Sequence, residues 1–424
     1  MAQLHLLSPS GFRAAGVHAG IKTTQKPDVG LLLCDHPAAA AAVFTRNKVF
    51  AASVKIGRQH IGDGWLRGVV VNSGNANACT GKQGDIDALR MCQLAGKIAG
   101  AKTDGNGDAA SLKLAASPFK VPKPQEFLPS STGIIGRRLP MQKITRGIQL
   151  AGEDLGRDRS HALNFGDAIM TTDLKRKSAA VEFSIGKTRV RLAGVCKGSG
   201  MIGPRLGLAP HATMLAYLTC DAAIAPPLLR RALAEAAEQS FNAVTVDDQT
   251  STNDTAAILC SGDSGAKVAG GAPLRTFAKA LTQVCQDLAK QIAADGEGAT
   301  KLVTIRVHQA ATPAAAAGIA RSIANSPLVK CAMNGNDPNW GRILCAAGFT
   351  PFAFDAQKCV LRLQDTIVFR HGVPAPFNAA RLSRALHAKE VRVDLACGLG
   401  TGDATVWTCD LSKEYVTINA DYHT

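Results

Sequence analysis

Thr245-Val246-Asp247-Asp248-Gln249-Thr250-Ser251-Thr252-Asn253-Asp254-Thr255 is the stretch on which the reading turns, taken with Ala212-Thr213-Met214-Leu215 upstream. The polar stretch is too hydrophilic for a core strand and too compact for a linker. It lies between apolar segments, and it follows an Ala-Thr pair that itself opens an apolar run. Such an arrangement suggests a threonine placed for chemistry inside a shell of hydroxyl and carboxylate groups. Whether that threonine is a nucleophile, or the stretch only a well-bonded loop, depends on the rest of the chain.

The 424 residues are 46% hydrophobic and 5% aromatic, a folded composition with room for one large core or several domains. No apolar run approaches the ~20 residues of a membrane helix. The start, MAQLHLLSPSGFRAAGVHAGIK, lacks the basic, apolar and cleavage regions of a secretory signal. Twelve cysteines show no C-x-x-C pair and no clustered spacing with His; Cys34, Cys260, Cys285 and Cys345 lie in apolar runs. They are expected to be reduced, buried thiols of a cytoplasmic protein, with no metal site. The net charge of +15 resides in residues 1–212, which hold 29 Lys+Arg against 14 Asp+Glu, whereas residues 213–424 hold 19 against 19. Basic charge favours acidic partners. Yet the densest run is only Lys175-Arg176-Lys177, which reads as a solvated face, so nucleic acid is not an expected partner.

Along the chain, Val29–Cys34 and Gly68–Val71 read as buried strands, and Asn72–Asn77 as a polar turn. Asp85–Ile98 has helical spacing, Lys120–Leu128 is extended, and Gly186–Val195 and Thr213–Leu218 are strand candidates. Helices are expected over Pro226–Ser240, Pro273–Ala294 and Ala314–Ala324. Leu302–Val307, Cys359–Leu363 and Val391–Leu395 read as strands. The sum is a mixed α/β chain with much antiparallel sheet.

Several motifs carry possible chemistry beside an ordinary structural use. A threonine hydroxyl needs a base, and a free α-amine of Thr213, with a pKa of about 7.7–8.0, would serve if the chain were cut before it. Taken alone, ATML is an ordinary strand threonine. Ser130-Ser131-Thr132-Gly133 offers a hydroxyl and a Gly N–H suited to an oxyanion, or is an ordinary turn. Lys197-Gly198-Ser199-Gly200 lacks the spacing of a phosphate loop and is either a hinge or part of a site. Asp295-Gly296-Glu297-Gly298 is either a Gly-rich helix end or a carboxylate held for a cationic group. Asn334–Arg342 is loop chemistry, and Asn419–Thr424 would ordinarily be a frayed end.

In chain order these segments resemble the ornithine acetyltransferase family of arginine biosynthesis: GFRAAGVHAGIK from Gly11, VVNSGNANA from Val70, SSTGIIGRRLPM from Ser130, AIMTTD from Ala168, KGSGMI from Lys197, ATML from Ala212, TVDDQTSTNDT from Thr245, DGEGATK from Asp295, SPLVK from Ser326, DPNWGRI from Asp337, and a terminal EYVTINADYHT. The resemblance implies an α/β four-layer αββα sandwich over residues 1–295, with a smaller α/β domain over 296–424. It implies self-cleavage between Ala212 and Thr213, and transfer of acetyl from N-acetylornithine to glutamate through Thr213. Whether acetyl-CoA is a second donor is left open. By the same resemblance Thr132 and Gly133 hold the oxyanion, and Thr172, Lys197, Thr213, Glu297, Asn419 and Thr424 line the substrate site. Thr171 rivals Thr172, because adjacent strand residues face opposite sides. No cofactor and no membrane partner are implied; the cut chains would associate as α2β2. The rival mechanism is an aminopeptidase or amidase of the same fold. The segment Gly203–His211 is a few residues longer than the family pattern and abuts the scissile bond, so it bears on the rate of cleavage.

Overall fold

The computed structural model describes residues 3–101, 122–204, 206 and 214–421. Ala212, Thr213 and Thr424 lie outside the described residues, as does most of 203–211.

One eight-stranded sheet organises residues 12–260. Its strands are β1 (Phe12–Val17), β2 (Val29–Phe44), β3 (Trp65–Asn75), β4 (Phe127–Ile134), β5 (Lys177–Ile185), β6 (Thr188–Lys197), β7 (Leu215–Cys220) and β9 (Thr255–Cys260). The two-residue strands β8 (Ala223–Ile224) and β10 (Lys267–Val268) pair separately. The order is β4-β3-β2-β9-β7-β6-β5, with β1 on β2.

The long strand β2 makes this one sheet into two layers. Its first part pairs with β1 and β3 and its second with β9, and its register to β3 shifts between Leu33 and Ala38. Asp35, His36 and Pro37 occupy the break, where Pro37 has no N–H to give a ladder. The strand read over Val29–Cys34 therefore continues through a polar kink to Phe44.

The two sheet parts share a central core containing Leu32, Val69 and Leu128 from one and Leu215, Tyr217, Ala257 and Leu259 from the other. Alternate residues Ala216, Leu218, Ala256 and Ile258 face the opposite way, onto α5 (Pro226–Glu238) and α6 (Gly271–Ala294). On the outer face of the first part, Val29, Leu31 and Val70 pack against α2 (Gly81–Gly100) and α3 (Met141–Glu153). Helix, sheet, sheet and helix give the four-layer αββα architecture. Burial on both faces explains why LAYLTC and TAAILC read as unbroken apolar runs. Helices α1 (Ala52–His60) and α4 (Arg159–Ile169) add Val54 and Phe165 to the central core.

Beyond α6, a six-stranded sheet has the order β14-β13-β12-β15-β11-β16, with β11 (Leu302–Ala310), β12 (Val360–Leu363), β13 (Thr366–Arg370), β14 (Val373–Pro374), β15 (Glu390–Ala396) and β16 (Gly402–Cys409). Helices α7 (Pro313–Asn325), α8 (Pro327–Asn334) and α9 (Trp340–Gly348) cover it, followed by the short α10 (Ala379–Ala385). Two motifs here are helix starts. In SPLVK, Ser326 accepts the Val329 N–H and Pro327 occupies the first helical position. In DPNWGRI, Asn339 accepts the Arg342 N–H, so the expected loop is a cap followed by a helix.

Other expectations need correction. Asn72–Asn75 belong to β3 rather than a turn, because β4 pairs in parallel out to Gly74–Gly133. The short 3-10 turn Pro124–Glu126 interrupts the extended reading before β4. Cys345 is exposed: Ile343, Ala346 and Ala347 take the buried side of α9. Lys177 in the basic run is buried, not solvated. Finally, the tail is a helix, α11 (Lys413–Asp421), with no buried residue.

Candidate active site

The KGSG tetrapeptide organises the site, each residue by a different device. Lys197 ends β6 opposite Leu215, two residues after Thr213. It is buried, and its Nζ donates to Thr132 Oγ1 at 3.4 Å. Because the ammonium takes a lone pair of Oγ1, the Thr132 hydroxyl hydrogen is free to donate elsewhere. Gly198 gives its N–H to Asp173 Oδ1 at 2.7 Å. Ser199 donates through Oγ to the Asp295 carbonyl at 2.6 Å, and its own carbonyl accepts the Glu297 N–H at 3.1 Å. Gly200 leaves room: a Cβ there would stand 2.2 Å from Glu297 Oε2.

Thr132 and Gly133 lie at the end of β4. Gly133 has φ of +129°, and a Cβ on it would meet the Gly74 carbonyl carbon at 2.4 Å. Only glycine fits that backbone at that distance. Glu297 follows α6 and accepts from Asn419 Nδ2 of α11 at 3.0 Å. The structure thus brings Thr132 to Lys197, and Glu297 to Asn419, with Gly200 joining the two groups. Thr172 lies in a bend between α4 and β5, beside Thr171, and both are partly exposed. The strand alternation invoked to separate them does not operate there.

The polar stretch after Thr245 is mostly internal scaffolding. Asn253 Nδ2 donates to the Ala76 carbonyl at 2.5 Å and the Ser131 carbonyl at 2.8 Å, which fixes the β4 end. Thr45 Oγ1 donates to the Ser251 carbonyl. Asp247 takes N–H groups of Met201 and Ile202 at 2.7 and 2.8 Å, and the Tyr415 hydroxyl at 3.4 Å. Burial raises the Asp247 pKa against those bonds. Burial, with the carboxylates of Asp247 and Glu297, pushes the Tyr415 hydroxyl up to about 12. Leu206 and Asn242 bond each other through backbone and amide, pinning the chain upstream of residue 213. Downstream, the Met214 carbonyl accepts the Thr255 N–H at 2.8 Å.

Asp173, Lys177 and Asp295 form a buried ionic cluster beside these residues that the sequence reading did not single out. Lys177 Nζ donates to Asp173 Oδ1 at 2.6 Å and to Asp295 Oδ2 at 2.5 Å, with side chains 1%, 0% and 4% exposed. Their signal was present, since Asp173 closes AIMTTD and Asp295 opens DGEG, but the partnership spans 118 residues. Lys22 is a further addition. Burial pulls its pKa down to about 8 despite Asp28, and its Nζ donates to the Pro27 carbonyl at 2.7 Å. Asp254 is buried, with no hydrogen-bond partner on either oxygen among the described residues, and burial raises its pKa well above the ordinary range.

Comparison with known proteins gives the family of the chain. The arginine biosynthesis bifunctional protein ArgJ of Rhodopirellula baltica is 41% identical over 424 residues, spanning 99% of this chain and 97% of that protein. The protein of that name from Lactococcus lactis is 43% identical over 421 residues, with 98% of each covered. A crystal structure of arginine biosynthesis bifunctional protein ArgJ from Bacillus halodurans aligns with TM-score 0.47 and 37% identity, over 48% of this chain and 97% of that one. The ArgJ family model matches residues 13–424, and the chain belongs to the ArgJ family.

Proposed function

We propose that this chain is a self-processing acetyltransferase of arginine biosynthesis that moves acetyl from N-acetylornithine to glutamate through an acetyl ester on Thr213. The observation that carries the reading is the convergence of Thr132, Lys197, Glu297 and Asn419 around one tetrapeptide, with Leu215 paired to Lys197. Family membership supports it.

In the first stage Thr213 Oγ attacks the Ala212 carbonyl, the peptide C–N bond breaks, and the acyl group rests on oxygen as an ester. Water cleaves that ester, leaving the Ala212 carboxylate and a Thr213 with free amine and hydroxyl. In the second stage the amine takes the hydroxyl proton as Oγ attacks the acetyl carbonyl carbon. The Thr132 hydroxyl and Gly133 N–H stabilise the oxyanion, and the proton passes to the departing ornithine amine. Glutamate's neutral amine then attacks the ester, giving N-acetylglutamate and regenerating Thr213. Lys197 suits the α-carboxylate shared by both amino acids; Glu297, oriented by Asn419, suits the ornithine side-chain ammonium. Thr172 and Thr424 complete the substrate lining. Residues 296–424 act as a C-terminal α/β domain whose tail returns to the site, and the cut chains stay together as α2β2 in the cytoplasm.

The test is transfer from N-acetylornithine with and without glutamate. Glutamate-dependent N-acetylglutamate supports the reading, whereas acetate released regardless of acceptor identifies a hydrolase and refutes it. Acetyl-CoA in place of acetylornithine reads whether the enzyme takes a second donor.

A further inference from the structure

Lys197 is a buried ammonium whose hydrogen bond goes to a hydroxyl at 3.4 Å, and it makes no ion pair among the described residues. A carboxylate is nevertheless at hand, because Asp173 bonds the N–H of the very next residue, Gly198. Two buried lysines therefore act on one buried aspartate, Lys197 through its charge and Lys177 through charge and a direct 2.6 Å hydrogen bond. The reason is chelation: Lys177 Nζ bridges Asp173 Oδ1 and Asp295 Oδ2 and also donates to the Lys175 carbonyl at 3.3 Å. Asp173 is held from its other side by the Thr171 N–H at 3.0 Å. Asp295 Oδ2 takes the N–H groups of Leu174 and Lys175 at 3.1 and 3.2 Å.

We propose that Lys177 is a positioning residue that reserves Lys197 for the substrate carboxylate by keeping Asp173 committed elsewhere. This rests on Lys197 being the carboxylate-binding group. With Lys177 removed, Asp173 and Asp295 become two buried anions without their shared cation, and Lys197 already acts on Asp173 through its charge. Asp173 then turns to Lys197, cancels its charge, and repels the incoming carboxylate. The same loops that carry Thr171 and Gly198 loosen, but the dominant effect is on binding rather than on the acyl-transfer step.

The experiment compares Lys177→Met, Asp173→Asn, the double variant and Lys197→Met, measuring KM and kcat for acetylornithine and glutamate beside a thermal melt. Lys177→Met should raise both KM values on the order of tenfold or more, as loss of a charge-assisted contact does, with kcat changed far less. Asp173→Asn keeps an oxygen for the Gly198 N–H while removing the competing charge. It should therefore keep or lower KM even where the melt shows lost stability, and in the double variant it should restore KM toward wild type. A structural hub gives the opposite pattern, with the double variant no better than Lys177→Met and Asp173→Asn raising KM; either result overturns the inference. If Lys177→Met does not fold, Asp173→Asn and the double variant decide alone. Should Lys197→Met leave both KM values unchanged, the underlying reading fails. If Lys197→Met raises them and Lys177→Met does not, only this inference fails.

Discussion

Replacing Gly200 by alanine puts a methyl group where the Glu297 carboxylate now lies. A Cβ at that position stands 2.3 Å from Glu297 Cδ. Ordinary carbon contact needs about 3.5 Å, so the carboxyl group must retreat by roughly 1.2 Å. The Glu297–Asn419 hydrogen bond, 3.0 Å long, does not survive such a retreat unless the exposed α11 follows. A charge-assisted hydrogen bond to the ornithine ammonium is worth about 1.5–3 kcal/mol, so its loss raises KM for acetylornithine roughly 10- to 150-fold. Glutamate carries no side-chain ammonium, so its KM should move much less. The assay is initial-rate kinetics with each substrate varied in turn, on protein shown to be fully processed. Shortening the acid by one methylene restores the space, so Gly200→Ala combined with Glu297→Asp should recover part of the loss. An unchanged acetylornithine KM in Gly200→Ala, or equal losses for both substrates, would refute the argument that this glycine exists to seat Glu297.

Three further outcomes are expected. Thr213→Ala should run as one chain on a denaturing gel and transfer no acetyl, whereas wild type should run as two fragments near half its size; splitting of the variant would remove Thr213 from the mechanism. Asn419→Ala should raise the acetylornithine KM several-fold (the loss of about 1 kcal/mol) without lowering Tm, since no residue of α11 is buried. Asp254 has a folded-state pKa raised by burial, so the folded protein holds its proton more tightly than the unfolded chain. That contribution is complete below the unfolded pKa of about 3.9 and is lost as pH rises toward the folded value. Asp254→Asn should therefore gain stability relative to wild type as pH climbs above that unfolded pKa of about 3.9, read by thermal melts across a pH series; a parallel pair of curves would count against it.

The parts of the fold legible in sequence are those fixed by local pattern. Pro226 marks a helix start, and the unbroken apolar run at Leu215 marks a strand covered on both faces. What misled was charge compensated at a distance. Lys177 looked solvated because its neighbours Lys175 and Arg176 are, and nothing nearby announces Asp295 as its partner. The strand read over Val29–Cys34 was too short because a strand that changes neighbours at a kink has no local signature. The tail looked frayed because its contacts, Tyr415 to Asp247 and Asn419 to Glu297, are made with loops far upstream. Within the site, the motifs were visible while the reasons for their glycines were not. Gly133 and Gly200 are required by atoms from other segments, Gly74 and Glu297.

The strand order β4-β3-β2-β9-β7-β6-β5 interleaves the two halves of the chain. Strands β7 and β9, which follow residue 213, sit like a tongue in a groove, with β2 bonded along one side and β6 along the other. Severing the backbone before residue 213 would leave both seams intact, so it would change the number of chains without changing the cooperative unit. Neither fragment could leave without tearing two ladders of main-chain hydrogen bonds from the middle of the sheet. Separation of the fragments would then be an unfolding event rather than a dissociation of two finished bodies. Refolding of the cut protein would require its two fragments to meet, so its melting temperature would rise more steeply with protein concentration than that of an uncut variant.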